Sequence, residues 1–412
     1  MNVALVESPV QLLNVLEWAH TRWGGRAAPS VRVPARCGGG RAAAPAGEEA
    51  FDRAGQAAFD PARKAGSRSV GPPGDGGSGR VPPSRQGVPD RAGGLTVVVL
   101  PPTDVPTRGQ LSRMADLARA EGVTVHWQEA RGGAGGPLKT VRRLVPLLHR
   151  AGRLVVGDPF SRMVQLLLTF VRAGTELTVV DDGTATMEFV AQLTRGERLE
   201  RWHRRGGRRG PREMVLAPVS LLGRRSLTPS TARGVEIFTA MPVEPQPGIT
   251  VTANGFDWTR TRFGPPRLIP GAELIGTSLV ETGVVDPDHY VEAVRGLART
   301  HGAVRYFAHR RESRGKLDRI AAETGLAVVR PELPLELVAR RGPIGATVLS
   351  FPSTVVHTLP LALAGSGVTV AVCDIAPEWL SDGASPRARG FLEGVTDSAS
   401  GAERLPGAEG GR

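Results

Sequence analysis

The chain has 412 residues, enough for two ordinary domains with a sizeable core. Its formal net charge of +12 is carried almost entirely by arginine, because lysine occurs only at Lys64, Lys139 and Lys316. That charge is compatible with an anionic partner, but arginines spread over a solvated surface account better for most of it. The two cysteines, Cys37 and Cys373, stand far apart, which excludes a disulfide framework and a CxxC metal site.

The opening residues and the hydropathy of the chain bear on its location. The first residues, MNVALVESPV, carry neither the basic segment nor the long apolar run of a secretion signal. No apolar run approaches the roughly 20 residues that a membrane-spanning helix needs. We therefore expect a cytoplasmic protein, which leaves peripheral contact with a membrane open.

The first half of the chain alternates buried strands with helices. Residues 2–7 predict a strand, after which Ser8 caps a helix that has Pro9 in its first position. Residues 24–94 are rich in Gly, Pro, Arg and Ala and show no sustained period, which predicts a disordered insertion. Order then returns with strands at 95–102, 123–128, 153–158, 176–180, 236–241 and 248–256, and with helices at 108–121, 138–151 and 160–173.

The second half begins near residue 265 and repeats this alternation. Asp286 and Asp288 look like an acidic pair that holds a metal, but Pro287 and the helix behind them favour N-capping, so we predict no metal site. Beyond Ser381 the chain is again rich in Gly, Ala and Arg, which predicts a disordered tail. Strands are predicted at 273–281, 304–309, 326–329, 347–351 and 368–373, and helices after Asp286, at 313–324 and after Ser353.

Alternation of this kind predicts an α/β fold in which parallel sheets are covered by helices on both faces. In open parallel sheets ligands bind beyond the carboxyl ends of the strands, so polar residues at those ends are the candidates for a functional site. We divide the chain into an N-terminal domain (1–23 and 95–260), the insertion (24–94), a C-terminal domain (261–380) and the tail (381–412).

The acidic pair Asp181-Asp182 ends a buried strand and immediately precedes Gly183. A carboxylate at such a place can serve as a general base, because partial burial raises its pKa toward the working range. The alternative is a plain turn, in which Asp and Gly satisfy backbone groups and allow a positive φ.

His309 and the pair Ser353-Thr354 are the candidates in the second half. His309 ends a strand beside two arginines, so it can grip or protonate a phosphate, or it can merely end the strand. Ser353 and Thr354 begin a helix, whose free N–H groups and positive dipole end suit a phosphate. Ordinary N-capping is the commoner role of such residues.

The order and spacing of these motifs resemble those of the bacterial sialyltransferases, including the polysialyltransferase group. That family has an Asp/Glu-Asp/Glu-Gly triplet, a His-Pro pair and a Ser-Ser/Thr pair; the counterparts here are 181–183, YFAHRRE at 306–312 and SFPSTVVHTL at 350–359. The opening ESPVQLLNVLEW and the segment IGTSLVETGVV at 275–285 are similar to the family as well. The resemblance covers most of residues 1–23 and 95–380, with Arg310 in place of the proline and the long insertion as departures.

The resemblance implies a GT-B-like fold, that is, two Rossmann-like domains whose parallel sheets face a cleft. It also implies an inverting, metal-independent glycosyltransferase without a cofactor, which moves sialic acid from CMP-sialic acid to a glycan hydroxyl. Asp181, or else Asp182, would be the base, and His309 would stabilise or protonate the leaving phosphate. The other residues implied are Gly276, Arg311, Glu312, Ser350, Ser353 and Thr354 on the donor side, and Glu7, Ser8, Gln11 and Gly183 on the acceptor side.

Other functions remain compatible with the sequence. Enzymes that use another nucleotide sugar share this architecture, because a fold does not determine a substrate. A relative without activity would bind CMP and transfer nothing. A nucleic-acid-binding protein would depend strongly on salt and little on Asp181 or His309, and we expect no nucleic acid as a partner. The arginine clusters at 204–205 and 208–209 attract an acidic glycan or else lie in a solvated loop.

Overall fold

The computed structural model describes residues 1–24, 30–32, 94–131, 133, 135–201, 211–231, 233–381, 384, 386–399 and 401–405. Within these ranges the chain forms two α/β domains, each built on its own β-sheet. No helix in these ranges is long and apolar enough to cross a membrane.

The first domain contains strands β1 (Asn2–Val6), β2 (Ser30–Arg32), β3 (Leu95–Val99), β4 (Thr124–Trp127), β5 (Arg153–Val156), β6 (Glu176–Val180), β7 (Val235–Thr239) and β8 (Ile249–Ala253). Their order in the sheet is β2-β8-β7-β6-β5-β1-β3-β4, and neighbours run parallel except β2 with β8. The helices of this part of the chain are α1 (Pro9–Trp23), α2 (Val105–Ala120), α3 (Gly136–Arg150), α4 (Arg162–Leu168), α5 (Thr184–Thr194), α6 (Pro211–Leu227) and α7 (Asp257–Phe263).

The second domain contains strands β9 (Leu268–Ile275), β10 (Ala303–Phe307), β11 (Ala327–Val329), β12 (Ile344–Ser350), β13 (Thr369–Cys373) and β14 (Glu403–Leu405). They pair in the order β11-β10-β9-β12-β13-β14, with every pair parallel. Its helices are α8 (Pro287–His301), α9 (Arg314–Thr324), α10 (Leu335–Arg341), α11 (Val355–Ala362) and α12 (Pro386–Asp397).

Burial on both faces explains why the strands are so apolar. Along β1, Val3 and Leu5 belong to one hydrophobic cluster, while Ala4 and Val6 belong to another on the opposite face of the sheet. A strand that is covered on both sides reads as a continuous hydrophobic run, as NVALV does. The second sheet has the same construction, with clusters on both of its faces.

The strand order confirms the predicted fold class. In the first sheet the chain moves outward from β1 through β3 to β4, then returns to the other side of β1 and continues through β5, β6 and β7. The second sheet repeats this Rossmann order, with β9 in the place of β1 and β12 in the place of β5. Ligands of such sheets bind where the order reverses, which is between β1 and β5 here, and between β9 and β12.

Several helices were not predicted. Helix α6 lies in the Arg-rich stretch to which the sequence assigned no element, and α7 and α10 are short helices between predicted strands. Strand β9 begins at Leu268, five residues before the predicted strand, and ends at Ile275. Asp286 caps α8 by accepting hydrogen bonds from the N–H groups of Asp288 (2.9 Å) and His289 (3.1 Å), which confirms the capping interpretation.

Two predictions of disorder need correction. Residues 30–32 of the proposed insertion form β2, which pairs with β8; the remainder of 24–94 lies outside the described residues except Gly24 and Gly94. The tail contains α12 and β14, and β14 extends the second sheet by pairing with β13. The composition of the tail hid these elements, because they are stabilised by tertiary contacts such as the burial of Leu392 and Val395.

Helix α7 connects the first domain to the second. The carboxylate of Glu17, in α1, accepts hydrogen bonds from the N–H groups of Trp258 (2.8 Å) and Thr259 (2.9 Å) at the start of α7. From the same helix, Arg260 donates to the carbonyl of Leu361 in α11 (3.1 Å). These bonds attach one short helix to both domains.

Candidate active site

Asp181 is buried beneath the carboxyl edge of the first sheet. One carboxylate oxygen accepts from the hydroxyl of Thr239 (2.5 Å) and the other from the N–H of Ala240 (2.6 Å). Burial raises the pKa of Asp181 to about 6, against the lowering effect of these hydrogen bonds. The carboxylate therefore ties the end of β6 to the end of β7 and has neither oxygen directed to solvent.

Asp182 is the more accessible member of the pair. Its carboxylate accepts from a guanidinium nitrogen of Arg201 at 2.6 Å, and the same nitrogen lies 2.9 Å from the carboxylate of Asp158. The side chain of Gln11 also hydrogen-bonds Asp182. The pKa of Asp182 is raised, first by burial and then by the negative charge of Asp158, while Arg201 opposes the shift. A carboxylate with a raised pKa is a better proton acceptor at neutral pH.

Glu7 and Gln11 stand beside this pair, at the switch point of the first sheet. Glu7 follows β1, and its carboxylate accepts from Arg131 (2.6 Å) and from the hydroxyl of Ser161 (2.6 Å). Its N–H donates to Gln11 Oε1 at 2.7 Å, which leaves the amide nitrogen of Gln11 to face Asp182. Burial raises the pKa of Glu7 as well. Glu7, Asp158 and Asp182, which follow β1, β5 and β6, thus form one acidic cluster with Arg131 and Arg201.

Ser8, expected on the acceptor side, has a structural role. It is the N-cap of α1, and its hydroxyl accepts from the N–H of Gln11 at 3.2 Å. This is the cap that the Ser-Pro pair predicted. Ser8 is buried, and its hydroxyl caps the first turn of α1.

His309 begins a tight turn after β10. The N–H of Glu312 donates to the carbonyl of His309 at 3.0 Å, and the N–H of Arg311 donates to the ring Nδ1 at 3.2 Å. Because Nδ1 accepts, the neutral ring carries its proton on Nε2. Burial and the charges of Arg310, Arg311 and Lys316 lower the pKa of His309 to about 4. His309 is therefore a neutral hydrogen-bond donor near pH 7.

Glu312, expected in the donor site, lies beneath this turn. Its side chain is fully buried and accepts from the N–H of His309 (2.5 Å), the hydroxyl of Tyr306 (2.6 Å) and the ammonium of Lys316 (2.8 Å). Gly276 completes the packing, because a Cβ there would lie 2.2 Å from Glu312 Oε2. Glu312 and Gly276 thus hold the turn in position from below.

Ser353 and Thr354 precede α11 at the switch point of the second sheet. Thr354 occupies the N-cap position, but its side chain makes no capping hydrogen bond. Ser353 Oγ lies 3.4 Å from Ser350 Oγ, and Ser350 donates to the carbonyl of Phe351 at 2.9 Å. The ordinary capping role is therefore not the one these hydroxyls perform. They stand at the start of α11, where the N–H groups of Val356 (3.2 Å) and His357 (3.1 Å) donate to the carbonyls of Ser353 and Thr354. The positive end of the helix dipole lies at this point.

Gly183, which follows the acidic pair, lies against Thr354 of the Ser-Thr pair. A Cβ on Gly183 would lie 2.9 Å from Cγ2 of Thr354, although Gly183 follows β6 of the first sheet and Thr354 follows β12 of the second. The carboxyl edges of the two sheets therefore face each other here. Further along, Gln110 of α2 donates to the carbonyl of Pro331 at 2.6 Å, again between residues that follow strands of different sheets.

Sequence reasoning missed Asp158, Arg131 and Arg201. Asp158 stands two residues after β5, beside the switch point, so its position at a strand end was a usable signal once the strand order was known. Arg201 had no such signal, because it reaches Asp158 and Asp182 from a loop. The arginine clusters at 204–209 lie outside the described residues. Within the described ranges, no group of three His, Cys, Asp or Glu side chains has a geometry that suits a metal ion.

Comparison with known proteins yields resemblances of shape. No family model and no curated protein matches the sequence. An α/β-galactoside α-2,3-sialyltransferase from the luminous marine bacterium Photobacterium phosphoreum aligns with TM-score 0.40 and 8% identity, over 76% of this chain and 91% of that chain. The E. coli heptosyltransferase WaaC with ADP-2-deoxy-2-fluoro heptose gives TM-score 0.37 and 11% identity, over 96% and 99%. Acinetobacter baumannii MurG gives TM-score 0.33 and 10% identity, over 76% and 77%. Resemblances at these levels carry no conclusion about function.

Proposed function

We propose that this protein is an inverting glycosyltransferase that moves sialic acid from CMP-sialic acid to a glycan hydroxyl without a metal ion. The observation that carries the proposal is the contact of Gly183 with Thr354. This contact brings the acidic pair Asp181-Asp182 close to the helix start at Ser353-Thr354, which suits a phosphate. Both lie between two Rossmann-like sheets, as the motif resemblance requires. The substrates would be a nucleotide-sugar donor, held by the second domain, and a glycan acceptor, held by the first.

Asp182 is the base in this proposal, in place of our first choice, Asp181. Both oxygens of Asp181 are occupied by Thr239 and Ala240 inside the domain, whereas Asp182 is partly accessible beside Gln11 and Arg201. Asp182 takes the proton of the acceptor hydroxyl as its oxygen attacks the anomeric carbon. The bond from that carbon to the phosphate oxygen breaks, and its electron pair leaves with CMP.

His309 and the Ser-Thr pair serve the leaving phosphate. With a pKa of about 4, His309 is neutral near pH 7 and donates a hydrogen bond from Nε2 to the phosphate. Negative charge bound beside the ring raises this pKa and so increases the fraction of His309 that carries a second proton. The hydroxyls of Ser353 and Thr354 and the start of α11 supply further donors. Preorganised donors of this kind stabilise charge that develops in the transition state.

The acidic cluster suits an acceptor glycan. Carboxylates and guanidinium groups at Glu7, Asp158, Arg131 and Arg201 present acceptors and donors to sugar hydroxyls. Most of these groups already bond to one another, so they are held in place before a ligand arrives. Such preorganisation lowers the entropic cost of binding.

The test is donor consumption in the presence of acceptors. The full-length protein is incubated with CMP-sialic acid and a panel of neutral and sialylated oligosaccharides, and the products are followed by NMR. We expect CMP release that depends on an acceptor and a product of inverted anomeric configuration. Consumption of a UDP-, GDP- or ADP-sugar instead would assign the alternative function, a transferase with another donor. Binding of CMP without any transfer would assign an inactive relative.

A further inference from the structure

Two arginines occupy the corner of the turn that begins at His309. The hydrogen bond from the N–H of Glu312 to the carbonyl of His309 (3.0 Å) closes a β-turn with Arg310 and Arg311 at its central positions. The turn is fastened from below, because the buried carboxylate of Glu312 accepts the N–H of His309. The first central position of a β-turn also favours proline, so Arg310 keeps the turn and adds a guanidinium to its tip.

Among the described residues, no hydrogen bond or ion pair joins the guanidinium group of Arg310 or of Arg311 to another group. Both side chains are exposed. Neighbouring arginines differ: Arg305 pairs with the buried Glu273, and Arg319 lies 2.6 Å from Glu323. Two unpaired cations beside a neutral histidine form a place where an anion is stabilised.

Arg310 lies in the turn after β10, at the carboxyl edge of the second sheet. This edge faces the first domain where Gln110 donates to the carbonyl of Pro331 and where Gly183 approaches Thr354. Although the side chain of Arg310 keeps exposed surface, desolvation by the surrounding protein lowers its pKa, while the negative charges of Asp182 and Asp104 act in the opposite direction. The positive charge of Arg201 lowers the pKa of Arg310 further. Arg310 therefore stands on the edge that carries His309, and this edge faces the domain that carries Asp182.

We propose that Arg310 binds a carboxylate on the donor sugar, next to the carbon that reacts, and so selects an acidic sugar as the substrate class. This inference rests on the proposed function. The donor phosphate already has His309, Arg311 and the Ser-Thr pair. The sugar lies between that phosphate and Asp182, where Glu7, Asp158 and Asp182 outnumber Arg131 and Arg201. An anionic sugar is repelled by this cluster unless a cation intervenes, and Arg310 is the cation in that place.

The test compares two ligands with the full-length protein by calorimetry: CMP, which lacks the carboxylate, and the inert analogue CMP-3-fluoro-sialic acid, which has it. Arg310→Gln should lower the affinity for the analogue on the order of 10- to 100-fold, as expected for the loss of one charge-assisted hydrogen bond. It should lower the affinity for CMP by no more than about twofold. Arg310→Lys should restore part of the affinity for the analogue. Arg311→Gln should weaken both ligands alike, because its role is at the phosphate. Arg314→Gln, on an exposed arginine three residues beyond Arg311, is the control and should change neither.

The other outcomes overturn the inference in distinguishable ways. If Arg310→Gln weakens CMP and the analogue equally, Arg310 belongs to the phosphate site. If it weakens neither, the guanidinium is a solvated surface group. If the unmodified protein binds neither ligand, the proposed function fails, and this inference fails with it; that result is visible before any variant is made.

Discussion

Gly183 and Thr354 approach each other across the cleft so closely that a Cβ on Gly183 would lie 2.9 Å from Thr354 Cγ2. Gly183 has φ 67° and ψ −140°, a conformation open to glycine and strained for other residues. Two separate requirements, one of the backbone and one of space, therefore keep glycine at this position. They set how near the acidic pair comes to the Ser-Thr pair.

Gly183→Ala should lower the affinity for CMP roughly tenfold, because the added methyl group pushes Thr354 away from the phosphate position. Thr354→Ser removes Cγ2 and keeps the hydroxyl. In the Gly183→Ala background it should recover part of the lost affinity. Calorimetry on the single variants and the double variant measures this coupling.

Gly264→Ala is the matched control. Gly264 has φ 62° and ψ −169°, and nothing lies within 4 Å of a Cβ placed there. It should lose stability by about 1–3 kcal/mol from backbone strain and leave the affinity for CMP unchanged. Equal loss of CMP affinity in both alanine variants would show that the Gly183–Thr354 contact has no part in binding.

Asp182→Asn should reduce turnover of CMP-sialic acid by about 10²- to 10⁴-fold while the affinity for CMP changes little, because it removes the proposed base and keeps the shape. Asp181→Asn should instead destabilise the protein, since an amide NH₂ cannot accept from both Thr239 and Ala240. Initial rates and urea unfolding, measured on both variants, separate these effects. A fully active, stable Asp182→Asn variant would remove Asp182 from the mechanism.

Ser353→Ala should weaken CMP binding by about tenfold and leave the free energy of unfolding nearly unchanged, because its hydroxyl makes a long contact of 3.4 Å with Ser350 Oγ and Ser350 has a second partner in the carbonyl of Phe351. Asp286→Ala supplies the opposite pattern. It removes the cap of α8, which is worth about 1 kcal/mol, and should leave CMP binding as it was. Stability loss in Ser353→Ala without a change in affinity would restore the structural role of that residue.

The buried Glu17 predicts that stability falls as pH rises. Burial raises the pKa of Glu17 from 4.5 to about 7, so the folded protein holds a proton that the unfolded chain releases. The stabilisation is complete below the unfolded pKa of 4.5 and is lost as pH rises through about 7. Urea unfolding should show a decrease of about 2–3 kcal/mol from Glu17 between about pH 5 and about pH 8.

Glu17→Gln isolates this effect. Asp181, whose pKa is raised to about 6, and Glu7 and Asp182, whose pKa values are also raised, act in the same direction, so the unmodified protein alone cannot separate Glu17 from them. The variant should keep the part of the pH dependence that these other carboxyl groups cause and lose the part that Glu17 causes. An identical pH dependence in both proteins would mean that Glu17 does not titrate in this range.

The alternation of apolar strands and amphipathic helices was enough to predict both sheets apart from their edge strands β2 and β14. Local signals also predicted the caps at Ser8 and Asp286, because a cap depends on residues within one turn. Helix α7 was missed because the group that binds its first N–H groups is Glu17, which lies 241 residues away from Trp258. Which of Asp181 and Asp182 is buried against Thr239 was equally out of reach, since it depends on how β6 and β7 lie side by side.

For the site motifs too, local sequence predicted the position of single residues but not their contacts. Strand-end positions identified Asp182, His309 and Thr354 one by one, because each follows a predicted strand. That Gly183 touches Thr354 is a property of how two sheets face each other, and no local pattern carries it. The unpartnered state of Arg310 is likewise visible only when all neighbouring carboxylates are in place.

Calorimetric titration of the protein with CMP tests the central claim most directly. We expect binding at micromolar strength, clear weakening by His309→Ala and by Ser353→Ala, and much weaker binding of UDP and GDP. If CMP does not bind, or if both variants bind it as well as the unmodified protein does, the proposed donor site is contradicted and only the two-domain α/β architecture remains.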